Sequence, residues 1–310
     1  MMSRSNTIGR VIYDFSVSPI TFDFCVFLAV ARLELAMKTG SPDFFLSLRA
    51  HAWRNFTPRE LEYSLDDRLW RLHNLIIPIC GITPGILGYD VSLTDIESGV
   101  DFDPSRCVRC ENGNYLNPAL VDVFHRSGFD PHLYAAPKLA VDYARRMFDG
   151  AREPIVVTVR GSSFEGGRNT ASEFSVGLLQ NLLDNGKSVF LIPDQETGIE
   201  QANIPKGVKV LYEASFNLPL RLALHELASV SICAGGGPAI LLSLALRKPN
   251  LIVYHPMRPE VPIASAEWFA RIGVDVGSDR PFPWLTESQK WLWDPDIRAE
   301  AVCEAALSLI

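Results

Sequence analysis

A run of glycines followed by a proline is the part of the sequence that points most specifically to ligand chemistry. The run consists of Gly235, Gly236, Gly237 and Pro238. It lies between two apolar segments predicted as strands, and an apolar segment predicted as a helix follows it directly. Glycine lets backbone N–H groups approach a ligand, and proline at a first helical position loses no hydrogen bond. A helix that begins here can hold a pyrophosphate with its free N–H groups and its dipole. The alternative is a tight strand-to-helix turn whose glycines permit close packing.

Basic residues follow another predicted strand, which ends in Val156-Val-Thr-Val-Arg160. Arg160 ends this strand, and Arg168 and Asn169 come shortly after it. Because ligands of a doubly wound sheet bind outside the carboxyl ends of its strands, these side chains are expected at the same edge as the glycine run. Two guanidinium groups there could clamp phosphate oxygens bidentately. The alternative pairs Arg160 with a structural carboxylate and leaves Arg168 in solvent.

Acidic and amide side chains mark the ends of two more predicted strands. Asp194 is positioned to hold a ribose hydroxyl, and Glu213 to Asn217 are positioned to frame a base. Strand ends also carry aspartate simply to cap turns, and that interpretation is favoured for Glu196 and Asn217.

The candidate general base is Asp14, which ends the first predicted strand, Arg10–Phe15. A carboxylate at this place, expected to face a cleft between two domains, could accept a proton from a substrate hydroxyl. The alternative is a turn or N-cap aspartate. Asp23, His51 and His73 are lesser candidates.

Several functional classes receive no support from the sequence. The sequence contains no GxSxG, HExxH or EF-hand loop. The glycine run at 235–237 is neither a GK[ST] loop nor a GxGxxG motif. The Cys107/Cys110 pair has no second pair at a zinc-finger interval, so neither a metal nor a cofactor is expected. A net charge of -7 argues against nucleic acid as a partner.

The apolar stretch Phe22 to Met37 contains Asp23, Arg32 and Glu34, so it is predicted to be neither a membrane span nor a signal-peptide core. A cytoplasmic location is therefore expected, with no transmembrane segment, although peripheral contact with a membrane remains compatible with the sequence.

Apolar strands alternate with helices along the chain, which predicts an α/β fold with parallel sheets covered by helices. A length of 310 residues favours two domains. The polar segment Asp149–Glu153 is the expected boundary, giving Rossmann-like domains at 1–150 and 151–310. The second half is the more regular, with predicted strands at 155–159, 188–192, 209–212, 230–233 and 250–254.

This arrangement resembles the GT-B glycosyltransferases, and in outline and length it is most similar to the heptosyltransferases. The resemblance implies that Asp14 is the base, that Arg160 and Arg168 neutralise a diphosphate, and that Gly235–Pro238 cradle it. Two features depart from that family. Gly235-Gly-Gly-Pro238 replaces an Asp-Thr-Gly-type run, and arginine stands where a lysine is expected.

The resemblance implies metal-independent transfer of a sugar from a nucleotide-diphosphate donor to an acceptor hydroxyl. The first domain would then bind the acceptor and the second the nucleotide sugar. The alternatives are a nucleotide-sugar epimerase or hydrolase of the same fold, or a non-catalytic relative retained for binding or assembly.

Overall fold

The structure is a computed structural model that describes residues 8–53, 64–92, 118–161, 169–194, 203–258, 261 and 264–310. The chain divides into two compact units, Met1–Leu133 and Tyr134–Ile310. The division lies before the boundary expected at Asp149–Glu153. The segment between the two positions belongs to the second unit, since its helix packs on a helix of that unit and the Ala136 N–H donates to Glu226 Oε1 at 3.0 Å.

The first unit contains a parallel sheet, ordered β1-β2-β3 in the described residues. Its elements are β1 (Gly9–Asp14), α1 (Asp23–Thr39), β2 (Phe44–Arg49), α2 (Leu65–Arg71), a π-helical turn (Leu72–Ile76), α3 (Ile77–Gly81), β3 (Ile86–Ser92) and α4 (Pro118–Arg126).

Aromatic side chains between β1 and α1 form the centre of the first unit. Tyr13 lies 4.5 Å from Phe24 and 4.7 Å from Phe27, measured between ring centroids. All of α1 from Phe24 to Ala31 is buried, as its apolar composition on every face requires. The helix ends at Gly40, whose positive φ of 77° lets its N–H bond back to Ala36. This packing fixes the direction of β1, and therefore the position of Asp14 at its end.

The second unit is built on a parallel sheet of order β6-β5-β4-β7-β8-β9. Its elements are α5 (Lys138–Met147), β4 (Pro154–Thr158), α6 (Ser172–Asp184), β5 (Ser188–Ile192), β6 (Lys209–Val210), α7 (Glu213–Phe216), α8 (Leu218–Leu227), β7 (Val230–Ala234), α9 (Gly237–Ser243), β8 (Leu251–His255), α10 (Ala266–Arg271), β9 (Gln289–Trp293) and α11 (Ala299–Leu307). The predicted strands of this half are present, although β6 is shorter than the predicted 209–212.

Helices cover the two faces of this sheet in different ways. Ile155, Val157 and Ile232 project into an apolar core with α6 and α11. Because side chains alternate along a strand, Thr158, Ser231 and Cys233 project towards the opposite face. That face carries α8, and α5 packs outside it.

A histidine of α8 is buried against the polar positions of that face. His225 is 0% exposed, with Nε2 3.2 Å from Thr158 Oγ1 and Nδ1 3.0 Å from Ser231 Oγ. The Ser231 hydroxyl donates to the His225 carbonyl oxygen, which assigns the ring proton to Nδ1 and leaves Nε2 to accept from Thr158. Both ring nitrogens are thereby satisfied in the neutral form. Burial first, and then the nearby Arg221 charge, lower the pKa of His225 to about 3.

The first glycine of the run after β7 is constrained by packing. A Cβ built on Gly235 would lie 2.0 Å from His255 Nδ1, whereas one on Gly236 would meet nothing within 4 Å. The His255 ring cannot move aside easily, because Phe269 and Trp293 stack edge-on against it at 4.9 and 5.4 Å. Gly235 is therefore required by the fold, while Gly236 faces open space.

The buried histidine predicts acid sensitivity of the second unit. The folded pKa lies below the ordinary value of about 6.5, so the unfolded chain takes up the proton first. The contribution of this group to the free energy of unfolding is therefore complete above the ordinary pKa of about 6.5. Below that pKa it decreases as the pH falls, by at most about 1.4 kcal/mol per pH unit. In urea titrations between pH 7 and pH 5, His225→Gln should show a shallower pH dependence than wild type. The exposed His73→Gln is the control, and equal slopes for wild type and His225→Gln would contradict the assignment.

The surroundings of Gly235 and Gly236 predict that alanine is tolerated at Gly236 but not at Gly235. Gly235→Ala should lower the free energy of unfolding by about 1–3 kcal/mol because of the clash with His255. Gly236→Ala should change it by less than about 1 kcal/mol. Thermal and urea unfolding of the two variants measure the difference, and equal destabilisation would refute it.

Candidate functional site

The strand order of the second unit defines a crevice at the carboxyl edge of its sheet. From β4 the chain moves outwards through β5 to β6, and then returns to place β7 on the other side of β4. The connections that leave β4 and β7 therefore run in opposite directions. A doubly wound sheet binds ligands at such a switch point, so the segments after Thr158 and after Ala234 flank the candidate site.

Two reciprocal hydrogen bonds between Arg160 and Thr170 close the segment after β4 at its base. The Arg160 N–H donates to Thr170 Oγ1 at 3.0 Å, and the Thr170 N–H donates to the Arg160 carbonyl at 2.9 Å. Thr170 Oγ1 is also 2.9 Å from the Tyr254 hydroxyl at the end of β8. We call this the loop neck, formed by Arg160 and Thr170. It places Arg160 at the edge of the crevice, with Asn169 next to it.

Of the two arginines expected here, the structure locates only Arg160, because Arg168 lies outside the described residues. Asp194, two residues past β5, is at the same edge, and its Oδ2 accepts the Gly161 N–H at 3.0 Å. This contact fixes the loop that follows β4, as the turn-capping interpretation requires. Holding a ribose hydroxyl stays a prediction for this residue.

The glycine run lies on the other side of the crevice. The Gly235 N–H donates to the Tyr254 carbonyl at 2.8 Å, which continues the β7–β8 pairing by one residue. Helix α9 then begins with Gly237 and Pro238, and no described side chain caps its start. Gly236 is extended and open. Arg160, Asn169, Asp194 and the run Gly235–Pro238 thus lie at one sheet edge, as predicted.

The structure adds a residue that the sequence reasoning missed. Arg221, in the first turns of α8, is only 8% exposed, and its buried Nε has no hydrogen-bond partner among the described residues. Burial lowers the pKa of its guanidinium, while the nearby Asp194 carboxylate acts in the opposite direction. A signal was available in the sequence, since Arg221 and His225 are four residues apart and share the apolar face of the helix.

The candidate base lies in the first unit and makes a buried ion pair. Asp14 Oδ2 is 3.1 Å from Arg49 Nη1, and both side chains are at most 10% exposed. Asp14 Oδ1 accepts the Ser16 N–H at 2.8 Å, which is the turn contact anticipated as the alternative. Each carboxylate oxygen keeps a second lone pair, so the group can still accept a proton or a hydrogen bond from a hydroxyl.

The lesser candidates are less suited to catalysis. Asp23 is exposed and bonds the Thr21 hydroxyl at 2.6 Å, and His51 and His73 are exposed. Burial raises the pKa of both Cys80 and Cys233 to about 12, so neither thiol is an activated nucleophile.

The described residues contain no group of three or more His, Cys, Asp or Glu side chains able to hold a metal ion. Cys107 and Cys110 lie outside the described residues. No helix in the described part of the chain has both the length and the apolar character needed to cross a bilayer.

Comparison with known proteins gives structural relatives only. No protein-family model matches the sequence, and no curated protein matches it. Among solved structures, the chain is similar to E. coli ADP-heptose lps heptosyltransferase II, with a TM-score of 0.55 and 12% identity over 98% of both chains. It is also similar to a glycosyl transferase family 9 protein from Veillonella parvula, with a TM-score of 0.56 and 11% identity over 99% of both chains.

Both matches span nearly the whole of each chain. The expected α/β architecture of parallel sheets flanked by helices, resembling the heptosyltransferases, is confirmed. The chain has the fold of these glycosyltransferases.

Proposed function

We propose that this protein is a glycosyltransferase that moves a sugar from a nucleotide-diphosphate donor to an acceptor hydroxyl. The observation that carries the proposal is the crevice between β4 and β7, where Arg160 and the run Gly235–Pro238 lie at one sheet edge. The shared fold with glycosyltransferases supports the choice of reaction, since this fold serves that chemistry in the two relatives.

The diphosphate is the part of the donor that this edge suits best. A guanidinium beside backbone N–H groups stabilises negative charge on phosphate oxygens, and such charge grows on the leaving diphosphate as its bond to the sugar breaks. Arg168 and Asn169 are proposed to add contacts from the loop that begins at the neck. Asp194, whose Oδ2 accepts the Gly161 N–H, is proposed to hold a ribose hydroxyl as well.

Asp14 is proposed as the general base. Its carboxylate accepts the proton of the acceptor hydroxyl while the oxygen attacks the anomeric carbon and the nucleoside diphosphate departs. Arg49 and the Ser16 N–H hold the carboxylate in one orientation, which a base needs in order to meet its substrate at hydrogen-bond distance. No step of this route calls for a metal ion or a cofactor.

The donor is best sought among ADP sugars first, because the name of the E. coli relative includes ADP-heptose. Arginine in place of lysine and Gly235-Gly-Gly-Pro238 in place of an Asp-Thr-Gly-type run leave the sugar and base open, so other nucleotides belong in the same experiment. The cytoplasmic location expected from the sequence stays a prediction.

A ligand panel tests the donor assignment. A ligand that binds only the folded state raises the apparent stability, by about 2.7 kcal/mol at a hundred times its Kd. Thermal unfolding in ADP, UDP, GDP and CMP and in their common sugars should show a selective rise with one diphosphate. No rise with any of them would favour the non-catalytic alternative.

The two arginines should contribute to that binding separately. Arg160→Ala and Arg168→Ala are each expected to weaken nucleoside diphosphate binding roughly tenfold or more, as loss of a charged hydrogen bond does. Isothermal titration measures the affinities, with the exposed Arg145→Ala, on α5, as the control. Unchanged affinity in both variants would remove these residues from the site.

Asp14→Asn separates turnover from binding. The amide cannot take up the proton, so we expect turnover to fall roughly 100-fold or more while the diphosphate affinity stays the same. Asp23→Asn, an exposed aspartate of the same unit, is the control, and a thermal scan shows whether loss of the Arg49 pair has unfolded the variant. Near-normal turnover by folded Asp14→Asn would exclude this base.

Two further arms of the same assay address the alternatives. Turnover that requires an added acceptor supports transfer, whereas release of sugar without one indicates a hydrolase. Activity that persists in excess chelator is expected, and its loss would contradict a metal-independent route.

A further inference from the structure

Arg221 is a buried charged side chain of the second unit, and the described residues do not complete its hydrogen bonds. It is 8% exposed, and its Nε is buried without a hydrogen-bond partner among the described residues. Burying a guanidinium without full pairing is costly in free energy, and a methionine of similar length would fill the same space without that cost. A ligand that accepted hydrogen bonds from this guanidinium would offset that cost.

The register of α8 shows where Arg221 lies. Helix α8 leads into β7, so it runs back from the carboxyl edge of the sheet and its first turn is nearest that edge. His225 contacts Thr158, the last residue of β4. Arg221 is four residues earlier on the same helix face, about 6 Å along the helix axis towards the end that is nearest the edge. Side chains of a helix also tilt towards its N-terminus, which directs Arg221 further the same way.

The groups around Arg221 belong to the strands that form the crevice. Cys233 is next to last in β7 and pairs in register with Thr158 of β4. Asp194 follows β5 and fixes the backbone of Gly161 after β4. The thiol of Cys233 is neutral, so Asp194 supplies the single opposing charge identified among the described neighbours of Arg221. One carboxylate that also accepts a backbone N–H leaves the guanidinium with donors to spare.

We infer that Arg221 is a phosphate-binding residue, whose guanidinium donates from beneath the β4–β7 crevice to the diphosphate oxygens of the ligand. The inference rests on the proposed function for the identity of the ligand, and it adds a residue to the same site. Arg160 approaches the crevice from the loop neck, whereas Arg221 approaches it from a rigid helix. Two guanidinium groups on opposite sides of a diphosphate neutralise its charge and also hold it in one position.

The test uses inorganic pyrophosphate and ADP, UDP and GDP as probes of the full-length chain, with affinities from isothermal titration. Arg221→Met should weaken binding of pyrophosphate and of the preferred nucleoside diphosphate by roughly tenfold to a hundredfold. Arg221→Lys keeps the charge but not the planar guanidinium, so its affinity for the same probes should lie between those of wild type and Arg221→Met. The control is Arg145→Met, which removes the same charge from an exposed site on α5.

Thermal unfolding without ligand separates this role from a structural one. A ligand-binding arginine makes no full set of bonds in the free protein, so Arg221→Met should unfold at the same or a higher temperature than wild type. If Arg221 were instead a structural partner of Asp194, Arg221→Met would unfold at a lower temperature than wild type and would bind the probes with unchanged affinity. That pair of results would overturn the inference.

The outcomes also separate this inference from the proposed function. Sugar transfer by Arg221→Met with a wild-type KM would refute the role of Arg221 and leave the function standing. Arg221-dependent binding of pyrophosphate in a protein that transfers no sugar would do the reverse. If Arg221→Met does not fold, wild-type affinity in Arg221→Lys overturns the inference, as does a wild-type chain that binds none of the probes.

Discussion

The parallel pairing of β4 with β7 is the constraint on which the second unit depends. Ile155 to Thr158 align residue by residue with Val230 to Cys233, although the two strands are far apart in the sequence. This pairing creates the switch point and forces α8 to cross one face of the sheet, with its first turn at the carboxyl edge. The positions of Arg160, Arg221 and the glycine run all follow from that one alignment.

The helix that makes this crossing has an unusual buried face. It is apolar except for Arg221 and His225, and the two are treated differently by the fold. His225 is neutral and satisfied by Thr158 and Ser231, so it contributes to stability at neutral pH. Arg221, in contrast, is charged and incompletely paired within the described chain. The helix thus combines a structural polar group with one that we assign to a ligand, one turn apart.

Local sequence patterns were sufficient for much of this architecture. Strands β4 and β5 appear as predicted, because their signals depend on neighbouring residues. Strand β9 was not anticipated, since Gln289-Lys-Trp-Leu-Trp293 lacks clear alternation and is stabilised by pairing with distant β8. Local patterns also located part of the candidate site, because Arg160 and Asp194 were singled out by their positions at the ends of predicted strands.

The burial of Arg221, beyond its position on the apolar face of α8, and the packing role of Gly235 could be seen only in the folded structure. From sequence alone, an arginine inside a helix is predicted to be exposed to solvent, and only the structure shows that this helix is buried. Gly235 reads as ligand-binding until His255, which lies against it, is located. Likewise, the sequence placed Asp14 at a strand end but gave no indication of its partner Arg49, which follows from the register of β1 and β2.

The loop neck has a consequence for how such a protein can diversify. Arg160 and Thr170 close their loop with reciprocal hydrogen bonds, and Tyr254 anchors the closure to the sheet. The residues between them can change in number and type at a cost that grows only slowly with loop length, because the ends are already held together. Changes in the length or composition of this loop can therefore accumulate while the sheet beneath it stays intact.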